Sequence, residues 1–216
     1  MAQQAQLSAI LENFDKNGPE PVKAIINKAR SDFIESFDPD AAIQVGDALP
    51  EFRLSDAVGT ERSSTELLSN GPLLIAFYRG EWCPFCNIAL VGFQKILDEI
   101  KAKGVTFVAI SPELPNQSLS TAEKHDLEFP VLSDVGNKYA KQLGILFQQP
   151  DSLRSVFEQF GNRLAERNGD DSFTVPVPAT ILVDKNGVVR NTFIDPDYTK
   201  RVEPATVLEW INSLKN

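Results

Sequence analysis

The stretch Leu73-Leu74-Ile75-Ala76-Phe77-Tyr78-Arg79-Gly80-Glu81-Trp82-Cys83-Pro84-Phe85-Cys86 decides how the whole chain reads. Its first six residues are a short, continuously apolar run, which predicts a central strand buried on both faces. Pro84 has no N–H to donate and a preset φ, so it suits the first turn of a helix. Residues 84–101 keep helical periodicity through Ile88, Val91, Ile96, Leu97 and Ile100, and Gly104 stops them. Strand, short loop and helix put Cys83 at a helix N-terminus, where backbone N–H groups and the helix dipole stabilise a thiolate. Trp82 is placed to shield the thiols and to offer an apolar docking surface.

Outward from this stretch the alternation continues. Residues 105–110 read as a second buried strand and residues 116–126 as a polar helix, so strand, helix and strand imply a parallel pair with a right-handed crossover. A shorter strand at 130–133 and a short helix at 137–143 follow. Residues 150–171 read as an insertion, helical through Leu153, Val156, Phe157 and Phe160 and looped at Asn168-Gly169-Asp170-Asp171. Asn186-Gly187 lies between the β-rich runs 179–184 and 188–194, a strong hairpin signal. Pro204 opens a last helix with Val207, Leu208, Trp210, Ile211 and Leu214 on it. At the other end, Leu7, Ile10, Leu11 and Phe14 recur at helical spacing. Gly18-Pro19 breaks that run, and a second amphipathic face follows through Val22, Ile25, Ile26, Ala29, Phe33, Ile34 and Phe37 until Asp38-Pro39. The expected organisation is a helical extension over residues 1–40 and one α/β domain over 41–216. The extension reads as a cap on the domain or as a subunit contact, as in a homodimer.

Composition narrows the function. The chain has 216 residues, 42% of them hydrophobic, enough for one domain with a sizeable core and an appendage. A net charge of −9 argues against nucleic-acid or anionic-membrane partners, which need a basic face. No apolar run approaches the ~20 residues that span a bilayer. The first residues lack the charged and apolar regions of a signal peptide, so a cytoplasmic setting, where thiols stay reduced, is expected. The chain holds 2 cysteines, both in one tetrapeptide, and 1 histidine. A four-ligand zinc site or an iron–sulfur cluster therefore lacks soft ligands. No glycine-rich nucleotide fingerprint follows a strand, so neither a metal nor an organic cofactor is expected. What two cysteines at this spacing can do is close a small disulfide ring.

The chain from about residue 43 to 194 resembles the AhpC/TSA, or redoxin, superfamily of peroxiredoxins and their thioredoxin-like relatives. The resemblance rests on Val45-Gly46-Asp47-Ala48-Leu49-Pro50-Glu51-Phe52, on Phe77 to Cys86, and on Phe129-Pro130-Val131-Leu132-Ser133-Asp134. It is nearest to peroxiredoxin-like proteins carrying Trp-Cys-Pro-Phe/Tyr-Cys, and it implies a thioredoxin-like fold: a central mixed sheet flanked by helices. The usual motif Pro-x-x-x-Thr-x-x-Cys lays Cys86 on the peroxide-attacking position, Cys83 on the threonine and Arg79 on the proline. The family arginine near the start of a late strand falls on Pro178, in Val177-Pro178-Ala179-Thr180. A proline there resembles the cis-proline that faces Cys-x-x-Cys in thioredoxins, so a cis bond is expected.

Two readings follow from the resemblance. As a thiol peroxidase, the chain would reduce hydrogen peroxide or organic hydroperoxides, with Cys86 attacking and Cys83 resolving. As a disulfide reductase, it would use Cys83 as the exposed nucleophile. Both end in a Cys83–Cys86 disulfide recycled by a thioredoxin- or glutaredoxin-type reductant. Trp82, Arg79 and Pro178 are the expected substrate contacts. Arg79 reads either as a charge that lowers a thiolate pKa or as an exposed loop charge. Glu81 and the Asp195-Pro196-Asp197 cluster read as solvated carboxylates, and His125 as a surface residue.

Overall fold

The protein was described from a computed structural model covering residues 2–214; Met1, Lys215 and Asn216, at the outer ends of the two expected units, lie outside the described residues. Two amphipathic helices open the chain, α1 (Gln3–Asn17) and α2 (Glu20–Ser36), parted where Gly18 and Pro19 turn extended. After a 3-10 turn at Pro39–Ala41 come β1 (Arg53–Asp56), β2 (Glu61–Ser63), α3 (Ser64–Ser69) and β3 (Leu73–Phe77). Helices α4 (Pro84–Lys95) and α5 (Leu97–Ala102) lead to β4 (Thr106–Ser111), and α6 (Pro115–Lys124) leads to β5 (Val131–Ser133). Then follow α7 (Lys138–Gln142), β6 (Leu146–Gln148), a 3-10 turn at Asp151–Leu153, α8 (Arg154–Gln159) and α9 (Leu164–Asn168). The chain closes with β7 (Thr174–Pro176), β8 (Ala179–Val183), β9 (Val189–Ile194) and α10 (Pro204–Ser213). The helix expected over 84–101 is two. At Ile96 the backbone N–H bonds to Phe93 O, three residues back, and the change of direction keeps both Leu97 and Ile100 buried.

The main sheet has seven strands in the order β2-β1-β5-β4-β3-β8-β9, mixed as expected. β3 runs parallel to β4, with Leu73 opposite Thr106 and Phe77 opposite Ile110, and antiparallel to β8, with Phe77 opposite Ala179. Every residue of β3 is buried, and its side chains alternate between two cores. Leu74, Ala76 and Tyr78 join Phe85, Leu90 and Phe93 of α4, Val207 and Ile211 of α10, and Leu7 of α1. Leu73, Ile75 and Phe77 join Phe33 of α2, Leu67 of α3 and Tyr139 of α7. Each large apolar side chain taken out of water in these layers contributes about 1.5–3 kcal/mol. The expected hairpin is present: Asp184 Oδ1 accepts from the N–H groups of Asn186 and Val188, and Gly187 supplies the positive φ of 79° that closes the turn.

A third core joins α2 to the segment between β6 and β7. Ala29 of α2 packs with Leu153, Phe157, Leu164, Phe173 and Val175, and Trp82 lies against the same group. β6 and β7 form a separate antiparallel pair that brings together both ends of the segment between them. The chain then runs on through Val177, whose N–H donates to Ile145 O, into β8. No cis peptide bond occurs among the described residues, so the expected cis bond before Pro178 is corrected to trans. The chain passes straight from one extended segment into the next, with no tight turn to offset the cis penalty of about 0.5–1 kcal/mol.

Candidate active site

The site begins where β3 ends. Tyr78 N–H donates to Ile110 O at 3.0 Å, extending the pairing one residue, and the chain then turns through Arg79, Gly80, Glu81 and Trp82. Gly80 has a φ of 144°, and a Cβ there would lie 2.4 Å from Trp82 Nε1. Glycine alone fits that approach. The turn is fastened from outside: Glu113 Oε2 accepts from Glu81 N–H at 3.0 Å, and Arg167 bridges Glu113 Oε1 at 2.7 Å and Glu81 Oε2 at 3.0 Å. Lys124 Nζ also pairs with Glu81. Glu81 is thus an ion-paired strut, not the solvated carboxylate expected, and its pKa is lowered, its burial being outweighed by Lys124 and Arg167. Glu113 is fully buried, and that burial raises its pKa against the pull of Arg167.

Cys83 is the N-cap of α4 and Cys86 lies in its first turn, its N–H donating to Cys83 O at 3.0 Å. Both thiols are free and buried. Their surroundings differ. Cys86 Sγ accepts from Arg201 Nη2 at 3.2 Å and faces Arg79 N–H at 3.5 Å. Burial alone would raise its pKa. The Cys83 thiol, the charges of Arg201 and Arg79 and the Arg79 N–H together outweigh burial and lower it to about 5. Cys83 is held the other way: burial first, then the neighbouring Cys86 sulfur, raise its pKa. These surroundings favour a thiolate on Cys86, not on the Cys83 that helix position alone would favour.

Arg79 is buried, not an exposed loop charge. Its guanidinium lies 4.6 Å from the Trp82 ring and 4.2 Å from the Tyr198 ring, with Nη2 donating to Gln149 Oε1 at 3.1 Å. Beside it lies a cavity of about 450 Å³ whose lining includes Cys83, Arg79, Trp82, Pro178 and Tyr198. Leu11 and Phe14 of α1, Ala29 and Phe33 of α2, and Phe157 of α8 form its walls. Cys86 instead faces a recess of about 10 Å³ shared with Pro178, Thr180 and Arg201, room for about one water-sized group. All five residues expected at the site thus lie together, and Pro178 touches both spaces.

Arg201 was missed by sequence reasoning, as were Tyr198 and Asp197. Arg201 comes from the segment between β9 and α10, where no strand or helix pattern would announce it. Its Nη1 donates to Tyr198 O and, at 2.7 Å, to Lys200 O, which leaves Nη2 for the sulfur. Asp197, expected to be solvated, is buried and accepts both Arg30 Nε at 2.8 Å and Nη2 at 2.5 Å. The only signal available was the charge pattern Asp195-Pro196-Asp197-Tyr198-Thr199-Lys200-Arg201, which also fits an ordinary surface turn. Among the described residues no helix is long and apolar enough to cross a membrane, and no group of three or more His, Cys, Asp or Glu side chains is placed to hold a metal.

Comparison with known proteins gives the family. The model of the AhpC/TSA family matches residues 45–192, more than half of the chain. The chain is 29% identical over 150 residues to the chloroplastic peroxiredoxin Q of Gentiana triflora, covering 69% of this chain and 58% of that protein. It is 31% identical over 103 residues to peroxiredoxin Bcp of Escherichia coli, covering 48% of this chain and 65% of the relative. The chain thus spans less than two thirds of either relative's length. The crystal structure of peroxidoxin BcpB from Mycobacterium tuberculosis superposes with a TM-score of 0.63 at 21% identity, over 81% of this chain and 99% of that one. This likeness confirms the thioredoxin-like fold of the peroxiredoxins.

Proposed function

Because the chain belongs to the AhpC/TSA family, we propose that it is a thiol peroxidase in which Cys86 attacks the peroxide and Cys83 resolves the product. The observation that carries this reading is the Cys86 sulfur, fully buried yet met by Arg201 Nη2 at 3.2 Å. A thiolate is the attacking form, and desolvation beside fixed donors raises its reactivity at no reorganisation cost. Cys86 sulfur attacks the terminal peroxide oxygen, the O–O bond breaks, and the departing oxygen leaves with a proton as water or an alcohol. Cys86 is then a sulfenic acid. Cys83 attacks it, water leaves, and the Cys83–Cys86 disulfide closes. A dithiol reductant of the thioredoxin or glutaredoxin type, acting in a reducing compartment such as the cytoplasm, returns both thiols and is itself oxidised to a disulfide.

Hydrogen peroxide and organic hydroperoxides are both within this reading, and the apolar cavity at Cys83 supports the organic arm. The match beginning at residue 45 supports treating 1–40 as an extension on a domain of 41–216. The disulfide-reductase reading draws on one feature, that Cys83 rather than Cys86 opens on the larger cavity. Against it stands the raised pKa of Cys83, caused by its burial and by the neighbouring Cys86 sulfur. Stopped-flow tryptophan fluorescence of the reduced protein tests the peroxidase reading, since Trp82 sits beside the thiols. A concentration-dependent change far faster than a free thiol's with hydrogen peroxide or cumene hydroperoxide is expected. A rate no better than a free thiol's with both oxidants would overturn it.

A further inference from the structure

Arg201, which donates to the Cys86 sulfur, lies on a connecting segment outside the stretch of 45–192 that matches the family. A loop arginine left to itself would lose several rotamers to hold this contact. Here the segment is held by the N-terminal helices. Arg30 of α2 grips Asp197 with two bonds at 2.8 and 2.5 Å and reaches Thr199 Oγ1 at 3.3 Å. Asp197 in turn accepts from Thr199 N–H at 3.2 Å and Thr199 Oγ1 at 2.7 Å, and its carbonyl accepts from Lys200 N–H at 2.9 Å. On the far side of Arg201, Gln3 of α1, itself buried, donates through Nε2 to Val202 O at 2.7 Å, and Gln4 N–H donates to Glu203 Oε1 at 2.7 Å. Helices from outside the matched stretch therefore clamp the segment on both sides of the arginine.

We propose that α1 and α2 are part of the catalytic apparatus: Arg30 and Asp197 act as positioning residues that hold Arg201 at the Cys86 sulfur. The bidentate Arg–carboxylate fork fixes the orientation of the turn, a task lysine's single ammonium performs poorly. The charged and titratable groups facing Cys86 are Cys83 on its own helix, Tyr78 and Arg79 at the end of β3, and Arg201. Of these, Arg201 belongs to the clamped segment and donates to the sulfur directly, while Arg79 touches that segment only through the Tyr198 ring, 4.2 Å away.

This inference rests on Cys86 being the reacting thiolate, but its test needs no peroxide. Thiolate absorbance near 240 nm is titrated against pH in the intact chain for wild type, Arg30→Ala, Arg30→Lys, Arg201→Met and the Arg30→Ala/Arg201→Met pair. Lys28→Ala, which removes an exposed pair with Asp32 on the same helix, is the control. Arg30→Ala should raise the thiolate midpoint by about one pH unit, within the range an opposite charge at this distance commands. Arg30→Lys should raise it less, and Lys28→Ala should leave it unmoved. On the Arg201→Met background, Arg30→Ala should add much less, because most of the effect passes through Arg201 and only the Tyr198 contact with Arg79 remains. A wild-type midpoint in Arg30→Ala and Arg30→Lys would overturn the proposal, as would a shift that persists in full without Arg201. A low wild-type midpoint that Arg30→Ala still raises, in a protein inert to peroxide, would refute the peroxidase reading and leave only the clamp on Arg201 standing.

Discussion

Removing Arg201 isolates the electrostatic core of the site. Its Nη2 lies 3.2 Å from a sulfur that is fully buried, so the contact is a charge-assisted hydrogen bond with little solvent screening. Such bonds contribute about 1.5–3 kcal/mol, and a pKa unit corresponds to about 1.4 kcal/mol. Arg201→Met should therefore raise the Cys86 midpoint from about 5 by roughly one to two units. The consequence depends on pH. Near pH 7 the wild-type thiol is almost fully ionised, and the variant would lose at most about twofold of its thiolate. Near pH 5, where the wild type is half ionised, the loss grows to about five- to fiftyfold. Iodoacetamide alkylation followed across this range, with peptide mass mapping to assign the sulfur, measures the thiolate without involving a peroxide. A profile for Arg201→Met that superimposes on the wild type would refute the argument that this contact stabilises the thiolate.

Other outcomes follow from the same geometry. The peroxide rate should be flat from about pH 6 to 8 and fall below about pH 5, the midpoint of Cys86. Because that midpoint is depressed relative to an unfolded cysteine, the stability it contributes is complete above about pH 9 and lost as pH falls toward 5; urea unfolding of wild type and Cys86→Ser at several pH values should converge at the acid end. Phe157→Ala removes a buried ring 4.7 Å from Trp82 and 5.6 Å from Phe173, which should cost about 3–5 kcal/mol in urea unfolding. Gly80→Ala forces a side chain to within 2.4 Å of Trp82 Nε1 at a φ of 144°, so the peroxide rate should fall by at least about tenfold while thermal stability drops by only a few degrees.

How far the sequence was legible depended on how local each signal was. The run at 73–78 and Pro84 are local, and each led to its strand or helix within a residue or two. The short strands β1, β2, β6 and β7 carry no such run; Arg53–Asp56 and Glu61–Ser63 form a polar edge that pairing defines, not periodicity. The same division holds at the site. Cys83, Cys86, Trp82, Arg79 and Pro178 lie in or near the two stretches whose chemistry is written in their own neighbours, and the fold brings them together. Arg201 reaches Cys86 across 115 positions of sequence, through a turn held by Arg30 at a separation of 167 from Asp197. Nothing in either local pattern distinguishes that turn from a solvated one. The choice between the two cysteines was equally invisible, because helix position favours Cys83 while the long-range arginine contact favours Cys86.

The most direct test of the account is the location of the sulfenic acid. The reduced Cys83→Ser and Cys86→Ser variants would be treated briefly with hydrogen peroxide in the presence of dimedone, and the adduct mapped by peptide mass. The account predicts rapid labelling of Cys86 in the Cys83→Ser variant and only free-thiol reactivity at Cys83 in the other. Rapid labelling of Cys83 with an inert Cys86 would contradict it.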